Sequence, residues 1–407
     1  MAKFSQWHSR LFLPLLLFVF LVFGLYTQLT LINWKPLPDT IMEDFKYYER
    51  ALFNSIKGRS PYSNLVIGTG FFYPPPALFI VEIFNAFNNF LLKSSLYLAL
   101  NIWLMIYMVY KVAKVYALKA HQIWYWYVLC LGFAPFMESL HVGQINMITV
   151  WGLLLLFVYE HSPSLSSLGL TLAVLTKVSP LSFFGYLVAR REWKTVVGAV
   201  LMIVGITTIG VVRYKTSFLE YFSVLEWLTH QFPITYNSQS FASKAFLLGK
   251  WLQNHNILSL NLLSNYRVVQ TVLTIYIAGL ITISLFLLFK EGSSREPAFI
   301  ITGLGTALLP NVMWYHHYVF LLLPVLIWMG WTQLDRRVVL WCLIWLLIAQ
   351  VDRYHLTYGG SVHLFGHITM LIVLYQQMKE ILALRQKRSS LDFTHSSASG
   401  TQDPGIR

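Results

Sequence analysis

The chain has 407 residues, of which 56% are hydrophobic and only 12% charged, and its mean hydropathy is +0.57. Soluble globular proteins carry about a quarter of charged residues, so this composition excludes an ordinary soluble domain and indicates a helical protein that crosses a membrane many times. The net charge of +13 would suggest nucleic acid in a soluble domain. In a membrane protein such cations gather in cytoplasmic loops, and we expect no nucleic-acid partner.

The first long apolar run covers residues 11–32 and follows a short basic N-terminus. It is too long for the core of a signal peptide, and no small-residue cleavage site follows it, so we interpret it as a retained first span. Lys3 and Arg10 precede it, which places the N-terminus in the cytoplasm. Residues 34–92 then form a large first extracytoplasmic loop.

This first loop opens with a polar and aromatic stretch. Glu43 and Asp44 begin a short amphipathic helix, on which Tyr47 and Tyr48 follow at helical spacing. Acids at a helix start commonly do no more than complement the helix dipole. The alternative is a functional one, because an aromatic stripe beside carboxylates is also suited to line a sugar site.

The apolar segment 74–92 determines the topology of every later element. If it crosses the membrane, the cationic loops that follow become external; if it re-enters or lies in the interface, they become cytoplasmic. The second arrangement matches the positive-inside pattern, and we therefore predict it. The cations that it places in the cytoplasm are Lys111, Lys114, Lys119, Arg190, Arg191, Lys194, Lys290, Arg295, Arg336, Arg337, Arg385, Lys387 and Arg388.

About twelve crossings result, within a single transmembrane domain of residues 1–388. The crossings after the first span are 95–111, 121–135, 143–160, 165–178, 180–190, 195–213, 267–289, 297–311, 317–333, 338–351 and 361–378. The pair that meets at Lys177–Pro180 has the pattern of a broken helix dipping from the outer face, which is tolerated where it lines a cavity. Residues 215–265 form a second long extracytoplasmic loop, and the polar tail 389–407 is predicted to be disordered in the cytoplasm.

Several polar clusters fall on the predicted outer face. They are the patch His141–Asn146, Lys177 and the cluster Trp314–Tyr318. Each has an ordinary explanation, respectively helix capping, snorkelling to the interface and an interfacial aromatic belt. Their concentration on one face favours function, since polar residues embedded in membranes are functional candidates.

No metal site is expected from these clusters. The adjacent histidines of the last one point about 100° apart on a helix, and no metal-binding spacing occurs elsewhere. Cys130 and Cys342 both lie in apolar runs, so we expect neither a disulfide nor a thiolate metal site.

Seven short segments occur along the chain in a particular order. They are Asp44–Phe45–Lys46–Tyr47–Tyr48, Gly58–Arg59–Ser60–Pro61–Tyr62, Phe72–Tyr73–Pro74–Pro75, Gly143–Gln144–Ile145–Asn146, Lys177 with Pro180, Asn237–Ser238–Gln239–Ser240 and Trp314–Tyr315–His316–His317–Tyr318. This ordered set resembles the C-type (GT-C) membrane glycosyltransferases, and most closely glycosyltransferase family 87, the polyprenyl-phosphate-mannose-dependent α-mannosyltransferases. One local departure is Ser238, which separates Asn237 from Gln239, where the family often has Asn directly before Gln-Ser.

The resemblance implies an all-α GT-C fold and an inverting transfer of a hexose, mannose first, from a polyprenyl-phosphate donor to a lipid or glycan acceptor. It implies a multi-pass protein of the inner membrane whose active site is extracytoplasmic, without a cofactor. The implied site residues are the general base Asp44, the phosphate-binding His316, His317 and Lys177, and the sugar- or acceptor-binding Tyr47, Tyr48, Tyr73, Gln144, Asn146 and Gln239. Glu43 adjoins Asp44, so the choice of base depends on the family pattern of Asp followed by aromatics.

Two alternatives stay open at this point. An arabinofuranosyl or other glycosyl transferase would use the same scaffold. A secondary transporter or a lipid or glycan flippase would instead place polar residues near the membrane midplane in symmetric halves. The one-sided distribution of the polar clusters favours an outward-facing enzyme.

Overall fold

The computed structural model describes residues 17–22, 24, 26, 42–63, 65–66, 70–214, 218–230, 241–255, 265–310, 314–351 and 361–398. Over these residues the chain folds into helices joined by short connections, with no β-strand. This confirms the all-α class predicted from the sequence.

The helices are numbered in chain order. They are α1 Glu43–Ile56, α2 Leu78–Asn85, α3 Phe90–Val115, α4 Ala120–Leu131, α5 Ala134–Val142, α6 Asn146–Val158, α7 Pro163–Thr176, α8 Phe183–Ala189, α9 Trp193–Tyr214, α10 Phe218–His230, α11 Phe241–Asn254, α12 Tyr266–Glu291, α13 Arg295–Leu308, α14 Leu322–Trp331, α15 Arg336–Val351 and α16 Ser361–Ala398. Short 3-10 segments at Pro75–Ala77, Ser179–Ser182 and Tyr315–Leu321 lead into α2, α8 and α14.

Three of the described helices are long and apolar enough to cross a membrane. They are α3 and α12 with 26 residues each and α9 with 22, and they coincide with the predicted spans 95–111, 267–289 and 195–213. The protein is therefore a membrane protein. The count of twelve crossings stays a prediction, because the other apolar helices are shorter and most of the first predicted span lies outside the described residues.

The segment 74–92 does not form one continuous helix, because it is divided between α2 with its 3-10 turn and the first residues of α3. Its 3-10 turn and α2 together cover Pro75–Asn85, which at about 1.5 Å per residue reach roughly 16 Å, about half of a bilayer core. Glu82 on α2 accepts hydrogen bonds from Arg213 and Tyr214 at the end of α9, both at 2.6 Å. An element of this length does not cross a bilayer core by itself; that the segment re-enters or lies in the interface stays a prediction.

Helices α6 and α7 form a tight antiparallel pair, and their ends show which residues lie together at each end of the helix bundle. A methyl group added at Gly152 would meet the carbonyl oxygen of Gly169 at 2.5 Å, so the two backbones are in contact. α6 starts at Asn146, and α7 returns the chain to Lys177 at the same end. Asn146 and Lys177 are thus neighbours at one end, while the α6–α7 connection lies about 20 Å away at the other.

The break after α7 occurs where the sequence predicted it. α7 ends at Thr176, Lys177 has an extended backbone (φ −150, ψ 140), and a 3-10 turn begins at Ser179 with Pro180 in its first positions. The chain then turns back along α8 toward Arg190. At the C-terminal end α16 is described as far as Ala398, and the disorder predicted for the tail 389–407 stays a prediction.

Candidate active site

The first turn of α1 carries Asp44 and is held against the junction of α5 and α6. The backbone N–H of Met42 donates to the carbonyl of His141 at 2.7 Å, and Met42 has a left-handed backbone (φ 60) that turns the chain into the helix. Gly143 is also left-handed (φ 74), and a side chain there would meet the Cβ of Phe45 at 2.9 Å. Glycine at this position therefore allows α1 to approach closely enough for Asp44 to reach the residue after it.

That next residue, Gln144, joins Asp44 to two tyrosines. The Gln144 side-chain Nε2 donates to Asp44 Oδ2, and its Oε1 accepts from the Tyr73 hydroxyl at 2.8 Å. The Tyr48 hydroxyl lies 3.1 Å from the same Oε1 and 3.0 Å from the Tyr73 hydroxyl. The nitrogen and the oxygen of the Gln144 side-chain amide are thus both hydrogen-bonded. Because the tyrosines donate to the oxygen, the amide is held in the orientation that directs its N–H to Asp44.

The surroundings of Asp44 favour its neutral form more than water does. Burial raises the pKa of Asp44 from 3.8 to about 7, and the charges of Glu43 and Glu138 act in the same direction against the Gln144 hydrogen bond and Lys177. Burial also raises the pKa values of Tyr48 and Tyr73, so both phenols stay protonated donors at physiological pH. A carboxylate with a pKa near 7 is well matched to general-base work at that pH.

Lys177 supplies a cation opposite this carboxylate. Its ammonium lies 5.9 Å from the centre of the Tyr73 ring and 4.9 Å from that of Phe320, and it interacts electrostatically with Asp44. Within the described part of the chain it forms no ion pair or hydrogen bond. A half-buried lysine that lies against aromatic faces and near a carboxylate is suited to bind an anion.

The two adjacent histidines are placed differently. His317 packs against Phe320, with ring centres 6.4 Å apart, and lies close enough to Lys177 for two positive charges there to repel each other. Its Nδ1 accepts the backbone N–H of Trp314 at 3.2 Å, which leaves Nε2 as the protonated nitrogen of the neutral ring. The His316 side chain is buried, and its backbone carbonyl accepts from Asn146 at 3.2 Å.

Three other predicted site residues do not take part in the hydrogen bonds around Gln144. Two of them lie elsewhere in the structure, and the third is not among the described residues. Asn146 is buried at the start of α6 and ties α6 to the 3-10 turn of His316. Tyr47 donates to Glu43 at 3.2 Å and lines a small cavity of about 60 Å³. Gln239 lies outside the described residues.

Three contributors were not predicted from the sequence. Glu138 adds a negative charge beside Asp44, Phe320 supports Lys177, and the Tyr62 hydroxyl donates to the backbone carbonyl of Tyr73 at 2.9 Å. Tyr62 lies in the turn Gly58–Tyr62 that carried the family pattern, which is the one signal in the sequence that pointed to it. Glu138 and Phe320 come to the site through packing between elements that are far apart in the sequence, so no local pattern indicated them.

The first helix of the second long loop packs against this part of the first loop. Tyr221 on α10 packs against Tyr62, with ring centres 6.0 Å apart, and Glu220 accepts from the Ser60 hydroxyl at 2.7 Å. The two long loops predicted from the sequence therefore meet beside the tyrosine network. Taken together, the site offers one base, one cation and hydrogen-bond donors on a common face.

Comparison with known protein families identifies the family of this chain. The sequence model of glycosyltransferase family 87 matches residues 71–314, which is more than half of the chain. The match includes Tyr73, Gln144 and Lys177, whereas Asp44 and His317 lie outside it. No curated protein and no solved structure matches the chain significantly.

Proposed function

Because the chain belongs to glycosyltransferase family 87, we propose that it transfers a hexose, mannose first, from a polyprenyl-phosphate donor to a hydroxyl group of a lipid or glycan acceptor. The transfer inverts the configuration at the sugar C1, with Asp44 as general base. The observation that carries the proposal is the position of the Asp44 carboxylate, which is bonded to Gln144, has a pKa of about 7 and faces Lys177.

The proposed step needs only one carboxylate. Asp44 accepts the proton of the acceptor hydroxyl while that oxygen forms a bond to the sugar C1. The bond from C1 to the phosphate oxygen breaks, and its electron pair leaves with the polyprenyl phosphate. Direct displacement of this kind inverts C1, whereas retention would require a second, nucleophilic carboxylate at short distance.

The departing phosphate gains one negative charge and is a good leaving group, so no general acid is required. Lys177 and the Nε2–H of His317 are the groups that would stabilise this charge, because both are placed beside Phe320. The phenols of Tyr48 and Tyr73 are available to the sugar hydroxyls at the edge of the same network. The apolar segment 74–92 would bound a groove for the polyprenyl chain.

The distribution of charge supports an extracytoplasmic site. Asp44, Gln144 and Lys177 lie at the end where α6 begins, while the opposite end carries Glu160 paired with Arg190 and Arg295, both at 2.5 Å. Cations gather on the cytoplasmic side of membrane proteins. The end with the arginines is therefore assigned to the cytoplasm and the site to the outer face of the inner membrane.

The test compares Asp44→Asn with Glu43→Gln in membranes supplied with polyprenyl-phosphate sugars. We expect Asp44→Asn to lower transfer at least about 100-fold, as loss of a general base does, and Glu43→Gln to stay within a few-fold of wild type. Transfer at the wild-type rate in Asp44→Asn together with loss in Glu43→Gln would show that Glu43 is the base. A panel of mannosyl, glucosyl and arabinofuranosyl donors identifies the sugar.

A second pair of variants tests the phosphate site. Lys177→Met removes the ammonium but keeps an apolar chain between the two rings, and we expect it to reduce donor use strongly. His317→Phe should weaken donor use through loss of the Nε2–H. Unchanged dependence of the rate on donor concentration and an unchanged maximum rate in both variants would remove these residues from the phosphate site.

A further inference from the structure

The end of the protein opposite to Asp44 contains a larger cavity that the proposed reaction does not use. Its volume is about 400 Å³, and Glu160, three arginines (Arg190, Arg191 and Arg295), Ala189, Leu288, Phe289 and Ser293 line it. Three cations against one carboxylate give this lining a net charge of +2. A cavity of this size and sign is suited to an anionic group rather than to an apolar one.

Two of the arginines are held in place by acids. Arg190 pairs with Glu160 at 2.5 Å and with Glu192 at 2.7 Å, and Arg295 pairs with Glu160 at 2.5 Å. These bonds fix both guanidinium groups at the cavity wall and leave them with further N–H donors. Arg295 is also paired with Glu296 at 3.5 Å, so the acids balance the charges of Arg190 and Arg295, and these two arginines contribute fixed N–H donors rather than a surplus of charge.

Arg191 differs from the other two. Within the described residues it forms no ion pair, and its guanidinium lies 4.7 Å from the centre of the exposed Phe289 ring. Its backbone is left-handed (φ 61) at the turn after α8, a conformation that glycine adopts without cost and other residues do not. A glycine would therefore fit this turn with less backbone strain than the arginine does.

The apolar part of the lining belongs to a helix whose apolar side chains are largely exposed. Leu288 and Phe289 lie on α12, one of the three helices long enough to span a membrane. α12 exposes further apolar side chains along its length, including Ile275, Ile283 and Phe286. A ligand whose phosphate sits among the arginines would therefore have an apolar path for acyl chains directly beside it.

We propose that this cavity binds a phosphate group, and that an anionic phospholipid of the cytoplasmic leaflet supplies it, with the headgroup between Arg191 and Arg295 and the acyl chains along α12. Guanidinium groups match phosphate oxygens with paired N–H donors, and anionic lipids are enriched where juxtamembrane cations lie. The site is distinct from the proposed donor site, which lies at the other end of α6. The inference does not depend on the proposed transfer reaction.

The experiment uses the full-length protein purified in a neutral detergent. Its melting temperature is measured with dioleoyl phosphatidylglycerol, with dioleoyl phosphatidylcholine, with glycerol 3-phosphate and with inorganic phosphate. We expect phosphatidylglycerol to raise the melting temperature by about 3 °C or more and phosphatidylcholine to have little effect. An equal shift with inorganic phosphate or glycerol 3-phosphate would keep the phosphate site and reject the lipid as its source.

Arg191→Gly separates a binding role from a structural one. Glycine relieves the left-handed backbone, so we expect the lipid-free melting temperature to stay the same or rise while the shift with phosphatidylglycerol is lost. Arg191→Gln keeps a side chain of similar length and should also lose the shift. Lys290→Gln is the matched control, because Lys290 lies next to Phe289 and over the Phe286 ring at 5.4 Å but does not line the cavity.

Native mass spectrometry of the same samples counts bound lipid directly. We expect wild type and Lys290→Gln to retain phosphatidylglycerol and both Arg191 variants to lose it. No shift with any of the four additives in the wild type, or an undiminished shift in Arg191→Gly and Arg191→Gln, overturns the proposal. A lower lipid-free melting temperature in Arg191→Gly with the lipid shift intact would show that Arg191 has only a structural role.

Discussion

Gln144 donates its side-chain N–H to the carboxylate of Asp44 while its carbonyl oxygen accepts from Tyr73 at 2.8 Å. The hydrogen bond to Asp44 stabilises the charged carboxylate, and the one from Tyr73 prevents the amide from turning over. Gln144 thereby opposes the burial that raises the pKa of Asp44 to about 7. The pKa of the proposed base is thus raised mainly by burial, and Gln144 partly offsets that rise.

The first prediction concerns the acid limb of the pH–rate profile. Asp44 must be ionised to accept a proton. The rate should therefore fall below a pH of about 7, by tenfold for each pH unit, as expected for the protonation of one group. Gln144→Met removes the bond that favours the carboxylate, so the pKa should rise and the limb should move to higher pH by about one unit. The measurement is the maximum rate of transfer between pH 5 and 9.

The control for this experiment is Gln122→Met. The Gln122 side chain accepts the backbone N–H of Lys119 at 2.8 Å and lies in a helix start away from the site. Its pH profile should overlay that of the wild type. A limb that keeps its position in Gln144→Met would show that another group controls the rate in this range.

The second prediction concerns stability. The folded protein holds the Asp44 proton up to pH of about 7, whereas the unfolded chain releases it near 3.8, so the free energy of unfolding should decrease as pH rises through this window. Asp44→Asn has no carboxyl group to titrate, so its free energy of unfolding should not fall in this pH window. We expect the gain in melting temperature of the variant over wild type to be larger at pH 8 than at pH 5 by about 2–4 °C.

Differential scanning fluorimetry at the two pH values provides this measurement. Glu43→Gln serves as the reference, since it removes a neighbouring carboxylate from the same helical turn. A gain in melting temperature in Asp44→Asn that is equal at both pH values would contradict the assigned pKa. An inactive but stabilised Asp44→Asn would be typical of a catalytic group held in an unfavourable environment.

The third prediction concerns the contact that brings Asp44 to Gln144. Gly143→Ala places a methyl group 2.9 Å from the Cβ of Phe45 and strains a left-handed backbone (φ 74). Gly58→Ala is the matched control, because Gly58 is also left-handed (φ 70) and has nothing within 4 Å of the added carbon. Both variants should lose about 1 kcal/mol for the backbone, and only Gly143→Ala should lose more.

Activity distinguishes the two glycine variants further. Displacing α1 by a few tenths of an ångström separates Asp44 from the acceptor, so Gly143→Ala should reduce the maximum rate about tenfold or more. Gly58→Ala should keep the maximum rate near that of wild type. Equal stability and equal rates in the two variants would mean that α1 does not depend on this contact.

The sequence predicted the membrane class, the break at Lys177–Pro180 and the long apolar helices well, because hydrophobic length and proline placement act locally. It also singled out Asp44 and Gln144, though from the order of motifs and not from any indication that they touch. The hydrogen bond between them joins residues far apart in sequence, and it depends on a left-handed Met42 and on Gly143, whose effects are tertiary.

The two histidines show what a linear pattern leaves undetermined. His316 and His317 are equivalent in sequence, yet a 3-10 turn buries the first and directs the second toward Phe320. In the same way Tyr47 and Tyr48 differ by one position on α1 and belong to different networks. A helical rotation of about 100° per residue separates neighbours, and only packing decides which of them faces the site.

The fourth prediction concerns Tyr62 as a positioning residue. Its hydroxyl donates to the backbone carbonyl of Tyr73, whose own hydroxyl donates to Gln144, so Tyr62 acts on Asp44 through two intermediate groups. Tyr62→Phe removes this bond and keeps the ring that packs against Phe71 and Tyr221. We expect the maximum rate to fall about fivefold, as the loss of about 1 kcal/mol implies, with the donor KM unchanged.

A double-mutant cycle tests whether the effect passes through Gln144. If Tyr62 orients Gln144 by way of Tyr73, the loss in Tyr62→Phe should largely vanish when Gln144→Met is already present. Tyr110→Phe, at an exposed tyrosine of α3, should leave the rate unchanged. Additive losses in the double variant, or a rise in donor KM without a fall in maximum rate, would place Tyr62 in substrate binding and not in the support of the base.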